Sequence, residues 1–253
     1  MEYKNELRRF IQEELHQYLS HVSVDLTIFG FHDGQLKVLL LRWKGSDDWS
    51  LPGGRIHRDE NLDAAAYRSL QERTGLREIY LQQFHTFGEV ERYKNFSRQE
   101  TAVRLGIPAD LHGELFRRDV SVGYFALVEF AEVTPTPDRF TDECRWWEVA
   151  GVPPLLFDHN DMIRLALKTL RQQLSYQPVG YNLLPEKFTM PELQRLYETI
   201  LGKPLDRRNF QKQMLAYGLL ERLEERKTGG AHKAPFLYRF DREKYGKALE
   251  EGI

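Results

Sequence analysis

Residues 51–76, LPGGRIHRDENLDAAAYRSLQERTGL, place Gly53, Gly54, Glu60, Arg68, Ser69, Glu72, Arg73 and Gly75 within a strand-loop-helix pattern. On a helix, positions i, i+3 and i+4 share one face, so three carboxylates there could hold a divalent metal between protein and phosphate groups. In this chain those positions are Ser69, Glu72 and Arg73, which leaves Glu72 as a vestigial carboxylate beside a guanidinium. Metal affinity is therefore expected to be poor, while Arg73 suits an anionic ligand. Gly53 and Gly54 allow a ligand close to the backbone, or serve only the loop. Trp49 either stacks on a base or sugar face or covers a sheet edge. The expected ligand contacts are thus Trp49, Gly53, Gly54, Glu72 and Arg73.

Positioning these groups requires a sheet and a helix. HVSVDLTIFGF (21–31) and LKVLLLRW (36–43) are rich in β-branched and large apolar residues and flank His32-Asp33-Gly34, which predicts a β-hairpin. Leu62, Ala65, Ala66 and Leu70 recur at helical intervals over 62–73, with Asn61 as N-cap and Gly75 at the C-terminus. Further strands are predicted within 76–88, 119–130 and 144–149, and an amphipathic helix over 158–174. Strands alternating with helices argue for an α/β sandwich with a mixed sheet. The charged stretch 91–118 carries a short helix near Ser97–Leu105 and reads as a lid or a dimer contact. An amphipathic helix occupies residues 1–20, the sandwich 21–175, and a linker with Pro178, Gly180 and Pro185 residues 176–187.

Residues 188–253 form a different module. Thr189 and Glu192 make a capping box ahead of Leu193, Leu196, Tyr197, Ile200 and Leu201, and Asp206 caps a second helix with Phe210, Met214 and Tyr217 inward. Two strand-like runs then flank Lys227-Thr228-Gly229-Gly230-Ala231-His232-Lys233, completing a winged helix-turn-helix. From Lys203 to Lys247 there are twelve Lys or Arg against six Asp or Glu. Arg207, Arg208, Asn209, Gln211, Lys212, Lys227, His232 and Lys233 are the candidate DNA contacts, because cations on an outward helix and a wing tip displace counterions from phosphates. The competing view of Arg207, Arg208 and Lys212 is a merely solvated helix face; the local charge excess and the glycine-rich wing favour double-stranded DNA.

A net charge of −2 over 253 residues conceals this basic module beside an acidic remainder. One cysteine, Cys144, excludes a disulfide framework and a Cys-rich zinc site and fits a reducing compartment, so a cytoplasmic protein without a membrane partner is expected.

The 51–76 segment resembles the Nudix box, G-x5-E-x7-R-E-U-x-E-E-x-G-U with U a bulky aliphatic. Gly54, Glu60, Arg68, Leu70, Glu72, Gly75 and Leu76 match it, and Ser69 and Arg73 replace two glutamates. The resemblance implies an α/β/α sandwich and gives Glu60 and Arg68 a structural role, an ion pair bracing loop and helix. Together with TFG (86–88), RDVSVGYFALV (118–128), FDH (157–159), YNLLPEKFTMPELQRLYETILGKPLDRRNFQKQ (181–213) and TGGAHKAPFLYRF (228–240), the chain resembles the Nudix-related transcriptional regulators. That likeness implies a degenerate Nudix-like effector domain, a C-terminal winged helix, DNA binding as a homodimer, and an effector of the ADP-ribose or pentose class, with no cofactor. The alternative is a Nudix hydrolase of a nucleoside diphosphate derivative, with Mg²⁺ held by Glu72 and by Glu89, Glu91 or Glu100.

Overall fold

The computed structural model describes residues 2–77, 79–92, 97–112, 118–174, 183–227, 234–241, 243–245 and 247. Its N-terminal part is built on strand β1 (Tyr18–His32), which begins ahead of the expected residue 21. β1 turns back into β2 (Gln35–Trp43) with Phe29 opposite Val38 and His32 opposite Gln35. Asp33 and Gly34 take φ of 50° and 74°, the left-handed pair that a two-residue hairpin loop requires.

Strands β3 (Trp49–Ser50) and β4 (Gly53–His57) follow, then β5 (Leu81–Phe87), β6 (Val120–Glu129) and β7 (Thr141–Glu148). The sheet runs β3-β2-β1-β6-β5, with β4 also on β1 and β7 also on β2. Only the β1–β6 pair is parallel among these described pairings, so the sheet is mixed. Period-two alternation decides which face each residue serves. Val24, Leu26 and Ile28 point to one side and pack with Ala65, Ala66 and Leu70 of helix α2 (Leu62–Thr74). Phe29, Val38, Leu40, Phe125 and Leu127 serve the other side, against Met162, Ala166 and Leu170 of a helix over His159–Gln173. Helix, sheet, helix is the expected sandwich.

Helix α2 ends at Gly75, whose φ of 76° carries the terminating bend. Asn61 has the extended backbone of an N-cap, yet its side chain caps nothing; Ala65 N–H simply donates to Asn61 O at 3.0 Å.

The chain opens with α1 (Glu2–Arg9), continued by a π turn at Phe10–Glu14 and a 3-10 turn at Leu15–Gln17. The apolar face of this segment finds its partner in the 91–118 stretch, where α3 (Arg98–Arg104) is capped by Ser97 accepting from Glu100 N–H. Leu7, Ala102, Leu105, Ile107, Leu111 and Leu156 form a small core of their own. Arg8 donates to both carboxylate oxygens of Asp110, at 2.7 and 3.1 Å, which fastens the two pieces together.

Helix α4 (His159–Gln173) is followed by β8 (Phe188–Thr189), α5 (Met190–Leu201), α6 (Arg207–Ala216), β9 (Leu220–Arg226) and β10 (Phe236–Phe240). These last five elements are a winged helix with a three-stranded β8-β10-β9 sheet. Both halves of the capping box form: Glu192 N–H donates to Thr189 Oγ1, and Thr189 N–H donates to Glu192 Oε2 at 2.8 Å. Most of the expected linker lies outside the described residues, but Leu183 and Leu184 at its end are buried in a core that runs without a break from α4 into Phe188, Leu193, Leu196, Ile200, Phe210 and Met214. Arg171 Nε donates to Ile200 O at 2.6 Å and Thr199 Oγ1 donates to Gly34 O at 3.0 Å, adding directional contacts to this apolar junction. No helix of the described residues is long and apolar enough to cross a membrane.

Candidate functional site

The glycine-rich loop is braced as its residue types suggest. Arg68 on α2 donates from Nε and Nη2 to the Glu60 carboxylate at 3.1 and 2.7 Å, and Nη2 also donates to Arg55 O at 2.9 Å. Glu60 in turn accepts from His57 N–H at 2.7 Å. The hydrogen bonds from Arg68 hold the Glu60 carboxyl below the usual carboxylate range despite its partial burial. Gly53 stands against Asp25 in the β1–β4 ladder, where a Cβ would come within 2.5 Å of Asp25 Oδ1 and Val24 O. A Cβ on Gly54 would meet Ser69 Oγ at 3.0 Å. Both glycines are thus fixed by packing of the loop, and both also line a cavity.

That cavity, of about 520 Å³, falls within the usual range for small-molecule sites. Glu72, Arg73, Gly53 and Gly54 all border it; Trp49 does not. The Trp49 ring is buried in the core, edge-on to Trp147 at 5.2 Å with the Arg145 guanidinium over it at 4.6 Å. Its strand position turns it to the α4 side of the sheet, and Trp43 borders the cavity instead.

The cavity has two unlike walls. One is charged: Asp25, Arg55, Arg68, Glu72, Arg73 and Asp119. The other is largely apolar and aromatic, made by Leu7, Phe10, Trp43, Leu105, Ile107 and Phe140, so the N-terminal segment and the 91–118 stretch close the cavity rather than standing apart from it. At its floor, His159 is buried; Leu51 N–H donates to its Nδ1 at 2.9 Å, which leaves the proton on Nε2, 3.7 Å from Asp25 Oδ1. Burial depresses the basicity of this imidazole, and nearby Asp25 only partly offsets that. Ser121 Oγ donates to Asp25 Oδ2. Next to His159, Asp158 receives Arg92 Nε and Nη2 at 2.9 and 2.8 Å, with both side chains nearly inaccessible.

Sequence reasoning did not single out Asp25, Arg92 or His159 as site residues. Asp25 carries a usable signal, an acid in the middle of an apolar strand run; His159 sits in the FDH motif, and Phe157 before it has a φ of 60°, unusual for a residue with a side chain.

The single carboxylate on this helix face is already engaged. Glu72 lies 3.0 Å from the Arg73 guanidinium and 3.5 Å from that of Arg68, so its charge is already compensated. Ser69 is buried and Arg73 Nη1 donates to Thr136 O at 3.3 Å, bracing the 134–138 loop. No group of three or more His, Cys, Asp or Glu suited to a metal occurs among the described residues. Glu89, Glu91 and Glu100, the replacement ligands of the hydrolase alternative, are exposed and do not border the cavity.

On the winged helix, Asp206 accepts from Asn209 N–H at 2.9 Å, starting α6. Arg207, Arg208, Asn209 and Lys212 are exposed and Gln211 is half-buried. Arg207, Arg208 and Lys212 have no ion-pair partner among the described residues, whereas Lys187, Arg239 and Lys244 are paired with Glu225, Glu221 and Asp241. Lys227 is bound by Glu192 of the capping box, which ties the wing to α5. His232 and Lys233 lie outside the described residues.

Comparison with known proteins agrees with this geometry. The NUDIX domain family matches residues 19–166, and the NrtR DNA-binding winged helix domain matches residues 180–240. The chain is 32% identical to the "ADPR responsive transcriptional repressor NtrR" of Acinetobacter baylyi, over 88% of this chain and 83% of that one. It is also similar to the crystal structure of Shewanella oneidensis NrtR complexed with a 27mer DNA, at 28% identity and a TM-score of 0.71, covering 90% of this chain and 96% of that one. A MutT/nudix family protein from Enterococcus faecalis shares the fold at 22% identity and a TM-score of 0.64, over 94% and 98% of the two chains. With its altered box, its two-walled cavity and its basic winged helix, the chain belongs to the Nudix-related transcriptional regulators.

Proposed function

We propose that this protein is a DNA-binding regulator whose effector is an ADP-ribose-like nucleotide held in the Nudix cavity. The observation that carries the choice of effector is the contrast between the cavity's walls. A nucleoside diphosphate sugar has both an aromatic base and anionic phosphates, and the cavity offers aromatic rings and, among the carboxylates of Asp25, Glu72 and Asp119, the guanidiniums of Arg55 and Arg73. A free pentose could also pack a face on an aromatic ring, but it carries no phosphate to meet the guanidiniums. The Acinetobacter relative, whose name describes it as ADPR responsive, supports the same reading.

On DNA, Arg207, Arg208 and Lys212 would meet phosphates or base edges from α6. One winged helix covers one half-site, so the proposal includes a homodimer acting on a two-fold site in the cytoplasm. Effector binding alters operator affinity only to the extent that the effector binds two arrangements of the winged helices unequally.

A thermal-shift screen tests the effector choice. ADP-ribose should raise the melting temperature while pentoses and ribose 5-phosphate raise it less, since a native-state ligand stabilises by an amount that grows with the logarithm of its concentration over its dissociation constant. A pentose-selective shift with none for ADP-ribose would overturn it. For the interface, Arg207→Ala with Lys212→Ala should weaken binding to DNA from around its own gene and reduce the log-log salt slope by about 2.

A further inference from the structure

We propose that the aromatic wall built with the N-terminal segment is a subsite for the planar base of the nucleotide effector. The inference rests on the ADP-ribose-like reading above and adds where the base is held and by which side chains. Tyr18 and His57 face each other across the β1–β4 ladder, stacked with ring centroids 4.3 Å apart and 30° between planes. Phe10 lies 5.8 Å from Tyr18 and 5.3 Å from Phe140. The Arg139 guanidinium sits 4.6 Å over the Phe10 ring and 5.1 Å over that of Phe140. All of these, with Trp43, border the cavity.

These side chains bring aromatic rings and a planar cation to the cavity lining; Tyr18 and His57 already cover one face of each other, so a heteroaromatic ring would extend that stack from an outer face. They are also held in place before a ligand arrives. Glu14 accepts from Arg139 Nη2 at 2.6 Å, Arg58 Nε donates to His16 O at 2.7 Å, and the Arg8–Asp110 pair locks α1 to the 91–118 stretch. A slot fixed in this way loses little freedom on binding.

The test uses the full chain, with ADP-ribose followed by calorimetry and 1,N6-etheno-ADP-ribose followed by fluorescence, because the etheno base is quenched when stacked. ADP-ribose should bind the wild type. Tyr18→Ala and His57→Ala should each weaken it about tenfold or more, and Tyr18→Phe, which keeps the ring, should bind as the wild type does. The etheno probe should be quenched on the wild type and less so when bound to Tyr18→Ala. Wild-type affinity in both alanine variants, or a bound etheno probe that stays bright on the wild type, would overturn the subsite while leaving the effector reading standing. Absence of ADP-ribose binding to the wild type would overturn the effector reading itself. Should Tyr18→Ala melt early, His57→Ala and the wild-type quenching still decide the matter.

Discussion

Glu72, the one carboxylate remaining on the metal face of α2, lies 3.0 Å from the guanidinium of Arg73, which occupies the place of a second metal ligand. A cation entering here would displace an existing ion pair and meet a fixed positive charge. Calorimetry of the wild type with Mg²⁺ or Mn²⁺ should therefore show no binding heat. Ser69→Glu with Arg73→Glu should raise Mn²⁺ affinity measurably. The same change should lower the melting temperature, because Ser69 is buried and enlarging a packed position costs about 1–3 kcal/mol. Metal binding by the wild type would contradict this account of the box.

The Glu60–Arg68 brace should matter for stability rather than chemistry. Glu60→Gln loses the ionic partner of a half-buried guanidinium and is expected to cost about 2 kcal/mol, lowering the melting temperature by about 4–8 °C. Chemical denaturation of the variant beside the wild type measures this. A change within about 0.5 kcal/mol would mean that the pair is merely a surface contact.

His159 supplies a pH dependence whose sign follows from its tautomer. The unfolded imidazole titrates near about 6.5, and burial lowers the folded value. Above that pH both states are neutral and the contribution is complete. As pH falls through about 6.5 the unfolded chain gains a proton that the folded chain refuses, so stability declines. His159→Gln should flatten the melting-temperature profile between about pH 7 and pH 5.5. An unchanged slope would assign the dependence to other groups.

Much of this site could be read from residue spacing. The Glu60–Arg68 brace, the missing ligands at 69 and 73, and the caps at Thr189 and Asp206 all involve neighbours within one element or one loop, where period and spacing fix proximity. What spacing does not reveal is which distant segments meet. Asp25 reaches Ser121 because β1 pairs with β6, and His159 because α4 begins beside Leu51, between β3 and β4. Arg92 reaches Asp158 across 66 positions. Trp49 shows another limit: aromatic character marked it as important, but the strand's pleat, not its residue type, placed it on the core face. The N-terminal helix declared an apolar face without naming the partner that covers it, and Asn61 had the type of a cap but not its hydrogen bond.

Helix α4 spans the distance between the two functions. His159 begins it at the cavity floor, and Arg171 near its end donates to Ile200 O in the winged helix. Arg171→Leu should leave the intrinsic affinities for ADP-ribose and for DNA close to wild type while shrinking the effect of either ligand on the other, which must be reciprocal. Anisotropy titrations of labelled operator DNA with and without ADP-ribose, together with calorimetry of ADP-ribose on the free protein, fix the cycle, the fourth affinity following by closure. Unaltered coupling in the variant would exclude this contact as a link.

Those titrations on the wild type, at fixed salt and with DNA from around its own gene, bear most directly on the protein as an ADP-ribose-responsive regulator. Saturating ADP-ribose should change the operator dissociation constant by about five- to 150-fold, with a scrambled duplex bound weakly throughout. Equal operator affinity with and without ADP-ribose, or equal affinity for the scrambled duplex, would contradict it.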